Sequence, residues 1–406
     1  MTNKKPTLLL WAVLFWSAVA YAQIPIRPAY NFPVVNSSAD GPASVQMGDT
    51  PFYVTPSIGV AAGRDDNVHF SNSNEVASPL YIVSPGLRLY TRDANNILQA
   101  SYQGQFGRYT DSEDDNYFDN TARATWDGAL SPRFFTHFGF DYIRAHDPRG
   151  STDRPNSNQP DKYRQNGPSA TLAYGAPGAQ GRAEVYYSYA SRRYLNNREF
   201  TVFSDRDTQE FGGAFYWRVM PRTYLVLDAR RTDQSYTEPT SPLSSSEYRY
   251  LAGLTWEATA TTSGTVKVGR FQKKFDTTFP ESTETAWEAL VTWMPRTYSR
   301  LDLYSARFPT ESTGLGSYIL SSATGAIWTH SWTNFVSTEV NLRYQKDEYQ
   351  GVDRSDDTKS IGFKVGYKFR RWLTLGAEYT RTQRDSNVRD FEYDRNLYFL
   401  TATASM

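Results

Sequence analysis

The sequence contains no cysteine, so no disulfide bond can stabilise the chain. It has no excess of either charge, because 43 lysines and arginines balance 43 aspartates and glutamates, and this balance does not indicate a nucleic-acid partner. Beyond the N-terminus no apolar run approaches eighteen residues, so any membrane crossing would have to use β-strands. Hydrophobic residues make up only 39% of the chain, which is low for a large water-soluble core.

The N-terminus has the pattern of a secretory signal peptide. Lys4 and Lys5 precede an apolar run at 8–20, and Ala20-Tyr21-Ala22 forms a small-residue cleavage site. A membrane anchor is the alternative, but 13 apolar residues are too few to span a bilayer comfortably. The sequence therefore predicts a signal peptide at 1–22, a Pro-rich periplasmic leader at 23–51 and an outer-membrane β-barrel at 52–406.

From residue 52 to the end, the chain consists of about eighteen segments in which apolar and polar residues alternate. In one of them Ile361, Phe363 and Val365 point one way, while Gly362 and Lys364 point the other. A period of two residues excludes a helix and indicates strands with one apolar face. The 29 tyrosines suit strands that face lipid on one side and water on the other.

The connections between these segments alternate in length. Short ones such as Ser131-Pro132 are followed by long polar ones such as Asp147–Asp161. A soluble propeller with about 40 residues per blade is the alternative, but segments of 12–15 residues are long for blades. We therefore predict an all-β protein, a transmembrane antiparallel up-and-down β-barrel with short periplasmic turns and longer extracellular loops, in the outer membrane of a Gram-negative bacterium.

One turn occurs twice, as Met220-Pro221-Arg222-Thr223-Tyr224 and as Met294-Pro295-Arg296-Thr297-Tyr298. Proline fixes φ and lacks an N–H donor, so it suits a turn that ends a strand ladder. We expect both copies on the periplasmic side, with aromatic side chains in the membrane interface and arginines at the lipid phosphates.

No catalytic or metal-binding motif is present. The four histidines do not have metal-ligand spacing, although a Ser/His site assembled across strands stays open as an alternative. The acidic run at 111–115 and the pair Asp356-Asp357 could collect calcium in a loop, but a solvated loop is the simpler reading. We predict that the protein is not an enzyme and has no cofactor.

Alternation assigns a mixed set of charged residues to the inner face. These predicted pore-lining residues are Arg88, Arg123, Asp141, Glu184, Arg218, Asp228, Arg230, Lys267, Arg300, Asp302, Glu339, Arg343, Lys364 and Glu378. Both signs are interspersed, which argues against strong ion selectivity. Four inward tyrosines, Tyr90, Tyr186, Tyr216 and Tyr304, could stack on sugar rings or could pack within the wall.

Several short motifs resemble those of the outer-membrane β-barrel porins encoded with exopolysaccharide-synthesis operons. They include Arg64-Asp65-Asp66-Asn67, Ser84-Pro85-Gly86, and the turns Ser131-Pro132-Arg133 and Met220-Pro221-Arg222. The resemblance implies a barrel of about eighteen strands that acts in polysaccharide export, beside a periplasmic polysaccharide export protein. It supplies no catalytic residue.

Three functions follow from this reading. The leading one is export of a secreted exopolysaccharide through the barrel, and the resemblance rather than the composition selects the polymer. The second is a general or substrate-specific diffusion porin for small hydrophilic solutes, which a loop folded inward as a constriction would favour. Asp147–Asp161 is the longest well-bounded loop, but nothing in the sequence indicates its direction. The third is a barrel hydrolase or a surface structural protein.

Overall fold

The computed structural model describes residue 26 and residues 44–405, apart from 92, 94, 155, 156, 258–260 and 278. The predicted signal peptide, most of the predicted leader and Met406 lie outside the described residues. None of the described helices is long and apolar enough to cross a membrane.

The structure consists almost entirely of strands. They are β1 (Val45–Gln46), β2 (Phe52–Asp65), β3 (Ser78–Thr91), β4 (Asn96–Tyr109), β5 (Tyr117–Ser131), β6 (Phe134–Asp147), β7 (Asp161–Tyr174), β8 (Gly181–Tyr194), β9 (Arg206–Met220), β10 (Thr223–Tyr236), β11 (Ser245–Trp256), β12 (Thr262–Phe275), β13 (Ser282–Arg296), β14 (Ser299–Glu311), β15 (Tyr318–Ser331), β16 (Val336–Gln350), β17 (Arg354–Arg370), β18 (Leu373–Ser386) and β19 (Tyr393–Ser405). Within the described residues, the helical segments are α1 (Arg198–Thr201) and three 3₁₀ turns at Glu113–Asp115, Val202–Ser204 and Arg389–Phe391.

The strands β2–β19 pair antiparallel in chain order, and β19 pairs with β2 to close a barrel of eighteen strands. The predicted barrel of about eighteen strands is confirmed. At the seam, pairing of β19 with β2 ends at Ser405 and Ser57, and the short β1 pairs with Val54 and Tyr53 beyond that point. This segment of the predicted leader therefore extends the ladder at one edge of the seam.

The two ends of the barrel differ. Eight mostly short connections form the turn end, and nine connections form the loop end, starting with the one between β2 and β3. Four turn-end hairpins, β5–β6, β9–β10, β13–β14 and β17–β18, have a register shift beside the turn. Each has an arginine at or next to the connection: Arg133, Arg222, Arg296 and Arg371. A bulged hairpin end with an arginine thus recurs at every fourth strand, and the two copies of the repeated turn are two of these four hairpins.

The two faces of the wall are distinguished by exposure and by contacts. Large apolar side chains such as Phe140, Phe211 and Leu400 are exposed at alternate positions, which is the pattern of a lipid-facing surface. The intervening side chains meet across strands that are not neighbours, as when Arg230 on β10 contacts Glu288 on β13. Such contacts form only on the concave side, so these residues face the lumen.

Candidate functional site

The predicted pore-lining residues all alternate with the lipid-facing positions of their strands and lie on the inner face. Their surroundings differ. The side chains of Arg123, Arg300 and Lys364 are 54%, 41% and 36% exposed, so water reaches the inner wall at β5, β14 and β17. Several residues on β8–β13 are buried instead, because they pair with one another.

Five of the buried side chains form a connected group that we call the wall cluster: Asp228, Arg230, Arg249, Lys267 and Glu288. Glu288 lies at its centre, with carboxylate oxygens 2.7 Å from Arg230 Nη1 and 2.6 Å from Lys267 Nζ. Arg249 Nη1 lies 3.4 Å from the same carboxylate, and Lys267 Nζ is also 2.8 Å from Asp228 Oδ2. None of the five side chains is more than 9% exposed, so the group belongs to the wall rather than to open water.

Three of the four predicted lumen tyrosines are also buried, namely Tyr90, Tyr186 and Tyr216. The Tyr186 hydroxyl donates to Asp228 Oδ1 at 2.8 Å, and the Tyr216 hydroxyl donates to Glu184 Oε2 at 3.2 Å. Tyr304 is half-buried. The three buried rings pack within the wall and do not present a flat surface to a sugar.

The connection between β6 and β7, described at residues 148–154 and 157–160, crosses the loop end of the barrel, and we call it the constriction loop. Arg154 fixes it to the wall from which it starts. The Arg154 guanidinium lies 2.6 Å from Asp147 Oδ2 and 2.7 Å from Asp161 Oδ2, and it stacks 4.5 Å from the Tyr194 ring. The Arg154 side chain is only 3% exposed, so both carboxylates neutralise a buried cation.

The preceding residue, Asp153, fixes the loop to the other side. Arg354 Nη1 and the Tyr349 hydroxyl donate to Asp153 Oδ1 at 2.6 and 3.0 Å. Thr313 accepts from the Asp153 backbone N–H at 3.1 Å and donates to its Oδ2 at 3.0 Å. Tyr349 is on β16, which is nine strands from β7 in either direction around the barrel. The constriction loop therefore joins opposite walls.

Two glycines allow the loop to lie against its neighbours. Gly150 has a φ of +72°, and a Cβ there would overlap the carbonyl oxygen of His69 in the β2–β3 loop. A Cβ at Gly314 would lie 2.8 Å from the carbonyl oxygen of Asp153. Side chains larger than hydrogen at either position would push the constriction loop away from the adjacent backbone.

A third attachment is made by Asp115, which follows β4. Arg149 Nε lies 2.8 Å from Asp115 Oδ1, and His69 Nε2 lies 3.1 Å from Oδ2. Burial of the carboxyl raises its pKa, but hydrogen bonds from Arg149, His69 and Ser112 outweigh burial and lower the pKa of Asp115 from 3.8 to about 2. The carboxylate is charged at neutral pH.

This shift predicts how the loop responds to acid. Because the folded-state pKa is depressed, the stabilisation by Asp115 is complete above about pH 4 and is lost as the pH falls through about 2. A spin label on Ser157→Cys, in a chain that has no other cysteine, should show constant loop mobility from pH 7 to 4 and increasing mobility towards pH 2. Asp115→Asn should give a mobile loop at every pH. Loosening between pH 7 and 5 would assign the transition to another group.

Three of the four histidines are paired with carboxylates, His69 with Asp115 as described above. His137 Nδ1 lies 2.7 Å from Asp127, and His146 Nδ1 lies 2.9 Å from Asp119. Asp356, one of the two acids considered for calcium, accepts from Arg354 at 2.5 Å. Among the residues that the structure describes, no group of three or more acidic or histidine side chains could hold a metal ion.

Sequence reasoning missed the residues that hold the constriction loop. Asp153 contacts Arg354 and Thr313 across separations of 201 and 160 residues. No short sequence motif predicts such pairs, since each partner is an ordinary acidic, basic or hydroxyl residue in a polar segment. The only local signals are the glycines Gly150 and Gly314, which mark close backbone approaches.

Comparison with known families decides the class of the barrel. The family model described as putative beta-barrel porin 2 matches residues 41–406. The chain belongs to this family. Its fold and family indicate a channel rather than an enzyme, and imply a place in the outer membrane of a Gram-negative bacterium. No curated protein sequence matches this porin.

Solved structures similar to this porin are also outer-membrane barrels of low identity. OccAB3 of Acinetobacter baumannii shares 10% identity with a TM-score of 0.47, covering 87% of this chain and 99% of that one. OccK3 (OpdO) of Pseudomonas aeruginosa shares 13% identity with a TM-score of 0.45, covering 87% and 95%. The FrpB iron transporter of Neisseria meningitidis shares 11% with a TM-score of 0.45, and this porin spans only 62% of it. These likenesses carry no argument about what the porin transports.

Proposed function

We propose that this porin is a diffusion channel for small hydrophilic solutes and that the constriction loop limits the width of its outer mouth. The observation that carries the proposal is the Asp153–Arg354 contact, since it ties the loop to the wall opposite its origin. Both side chains are at most 4% exposed, so the contact is an internal one and not a surface pair. A mouth crossed in this way suits small solutes better than a wide polymer.

The inner wall supports the same proposal. Charged side chains of both signs face the lumen, and they pair locally, as Lys364 does with Glu378 at 2.7 Å and Arg300 with Asp302 at 2.7 Å. Such pairs keep the wall hydrated without a strong field of one sign. We therefore propose weak charge selectivity and a preference set mainly by solute size.

Export of a secreted exopolysaccharide is the second candidate. The turns Ser131-Pro132-Arg133 and Met220-Pro221-Arg222 support it, because they resemble turns of porins encoded with exopolysaccharide-synthesis operons. In that case a periplasmic polysaccharide export protein would deliver the polymer at the turn end. The constriction loop would then act as a gate that has to leave the mouth, and the buried Asp153–Arg354 pair would break in every export event.

Locking the loop distinguishes the two candidates. Two hydrogen bonds place the side chains of Asp153 and Thr313 next to each other, so Asp153→Cys with Thr313→Cys should form a disulfide under oxidation. For a diffusion porin, the oxidised form, in which the disulfide replaces the lost Asp153–Arg354 contact, should show the wild-type conductance and uptake of small sugars. For a gated exporter, oxidation should abolish surface polymer and a reductant should restore it.

The controls are the two single-cysteine variants, which should not respond to oxidant. A small-solute flux of the oxidised form well below that of the wild type would contradict the fixed mouth that we propose. Separately, normal polymer at the surface of a strain lacking this gene would exclude the export candidate, whatever the loop does.

A further inference from the structure

Six cations on the outer surface form an arc at the loop end of β2–β8. They are Arg64, Arg108, Arg144, Lys162, Arg164 and Arg193, which we call the basic arc. Each lies within four residues of the loop end of its strand. At the outward positions of β2–β8, all of which the structure describes, there is no aspartate or glutamate. This part of the lipid-facing rim is therefore charged with one sign only.

The direction of these side chains follows from their neighbours. Tyr163 and Gln165 both contact Arg192 on the inner side, with the Arg192 guanidinium 4.4 Å from the Tyr163 ring and its Nε 2.9 Å from Gln165 Oε1. Arg164, which lies between them, must point outward, and it is exposed. Arg144 is directly opposite Arg164 in the β6–β7 ladder and is also exposed.

Three guanidinium groups thus occur side by side. Arg164 is opposite Arg144 on one side and opposite Arg193 on the other. Arg193 is neutralised by Asp207 at 2.8 Å. Within the described residues, neither Arg144 nor Arg164 has a hydrogen-bond or ion-pair partner. Like charges directly opposite one another destabilise a strand pair, so this arrangement needs an external anion.

The other side of the barrel shows the contrast. Several outward cations near the loop end of β10–β18 have carboxylate partners: Arg231 with Asp233 at 3.0 Å, Lys359 with Asp385 at 3.0 Å, and Arg381 with Asp394 at 3.3 Å. Arg270 on β12 is an exception among the described residues. The missing acids on β2–β8 are therefore not a general feature of this rim. The absence of outward acidic residues is a feature of the β2–β8 side of the barrel.

The position of the basic arc along the membrane normal indicates which anion it meets. Ten residues separate Phe134 at the turn end of β6 from Arg144. At about 3.3 Å per residue and a tilt of about 45°, this corresponds to about 23 Å along the membrane normal, close to the about 25 Å apolar band of such barrels. Phe140 and Phe138 are exposed below Arg144, as side chains in that band would be. Arg144 and Arg164 lie where the headgroups of the outer leaflet begin.

We propose that Arg144 and Arg164 bind the phosphate groups of an outer-leaflet glycolipid, with the rest of the basic arc holding further headgroups around β2–β8. A guanidinium donates two parallel hydrogen bonds to a phosphate, and one phosphate between two strands neutralises both arginines. The barrel would then bind the glycolipid on the β2–β8 side and not on the β10–β18 side.

The test uses the full mature chain in non-ionic detergent and compares bisphosphorylated lipid A with lipid A from which both phosphates have been removed. Native mass spectrometry should show that the wild type retains the phosphorylated form at least about tenfold better. Arg144→Gln with Arg164→Gln should reduce that binding to the level of the dephosphorylated lipid. The matched control, Arg231→Gln with Arg381→Gln, removes two outward cations that already have carboxylate partners and should bind as the wild type does.

Thermal unfolding gives an independent readout that also reports folding. Phosphorylated lipid A should raise the Tm of the wild type and of the control, but not that of the Arg144/Arg164 variant. If the double variant does not fold, the two single variants should each lose part of the binding. Equal binding of both lipids by the wild type, undiminished binding by the variant, or equal competition by inorganic phosphate would overturn the proposal.

Discussion

Deleting residues 149–154 is expected to raise the single-channel conductance of the barrel severalfold. This segment contains Arg149, Asp153 and Arg154, the three side chains that tie the constriction loop to Asp115, to Arg354 and to its own wall. Without them the constriction loop loses its attachments to both walls, and an eighteen-stranded barrel is wide enough to hold an aqueous channel. Planar-bilayer recordings of purified protein measure the change.

The matched control removes six residues, 238–243, from the β10–β11 loop. Within the described residues, the hydrogen bonds that this loop makes to other loops go to adjacent ones, for example from Thr277, which donates to the Pro242 carbonyl at 2.9 Å. Its deletion should leave the conductance unchanged. A milder variant, Arg354→Ala, leaves Asp153 and Asp356 buried without their cation and should increase conductance less than the deletion does. An unaltered conductance in the deletion variant would show that the constriction lies elsewhere.

The second large effect is expected in the wall cluster. Glu288→Ala should destabilise the folded barrel by about 3–5 kcal/mol, because Arg230 and Lys267 would stay buried without the carboxylate that contacts both. Urea unfolding from lipid vesicles, followed by the shift of the folded band on unheated gels, measures this loss. The change lies in the wall, so the conductance of the remaining folded channels should not rise.

Removing one cation and one anion of the wall cluster together should destabilise the folded barrel much less than Glu288→Ala does. Lys267→Met combined with Glu288→Met deletes one cation and one anion, while Arg230 keeps Asp228 at 2.5 Å and Arg249 keeps Glu247 at 2.7 Å. The double variant should therefore be more stable than either single variant, since buried pairs replaced by apolar residues are often neutral. Additive losses would indicate that the cluster does not act as a unit.

The barrel could be predicted from the sequence because its information is local. Alternation with period two, as at Ile361, Phe363 and Val365, assigns both strand and face, and closure needs only neighbouring strands to pair. The same alternation assigned the lumen-facing residues. It could not show that Tyr186 and Tyr216 are buried against carboxylates, because burial depends on which side chains of other strands meet them, on the adjacent strand for Tyr216 and two strands away for Tyr186.

The constriction loop could not be predicted for a different reason. Its anchors, Asp153 with Arg354 and Arg149 with Asp115, come from segments that the chain order separates widely. A loop of polar residues can extend into water or fold across the lumen, since its hydrogen-bonding groups find partners in either position. The basic arc could be predicted only in part. Its arginines and lysine are visible in the sequence, but the absence of acidic residues beside them becomes apparent only after each residue has been assigned to the inner or the outer face.

The crossing loop also has a mechanical consequence. Strand pairing makes the barrel wall resist stretching around its circumference, but a ring of that kind can still flatten into an oval. From Asp147 to Asp153 the chain has six steps, which span at most about 22 Å when extended. The loop is therefore a strut of limited length, and the short axis of the mouth is set by how far Asp153 can reach towards Arg354.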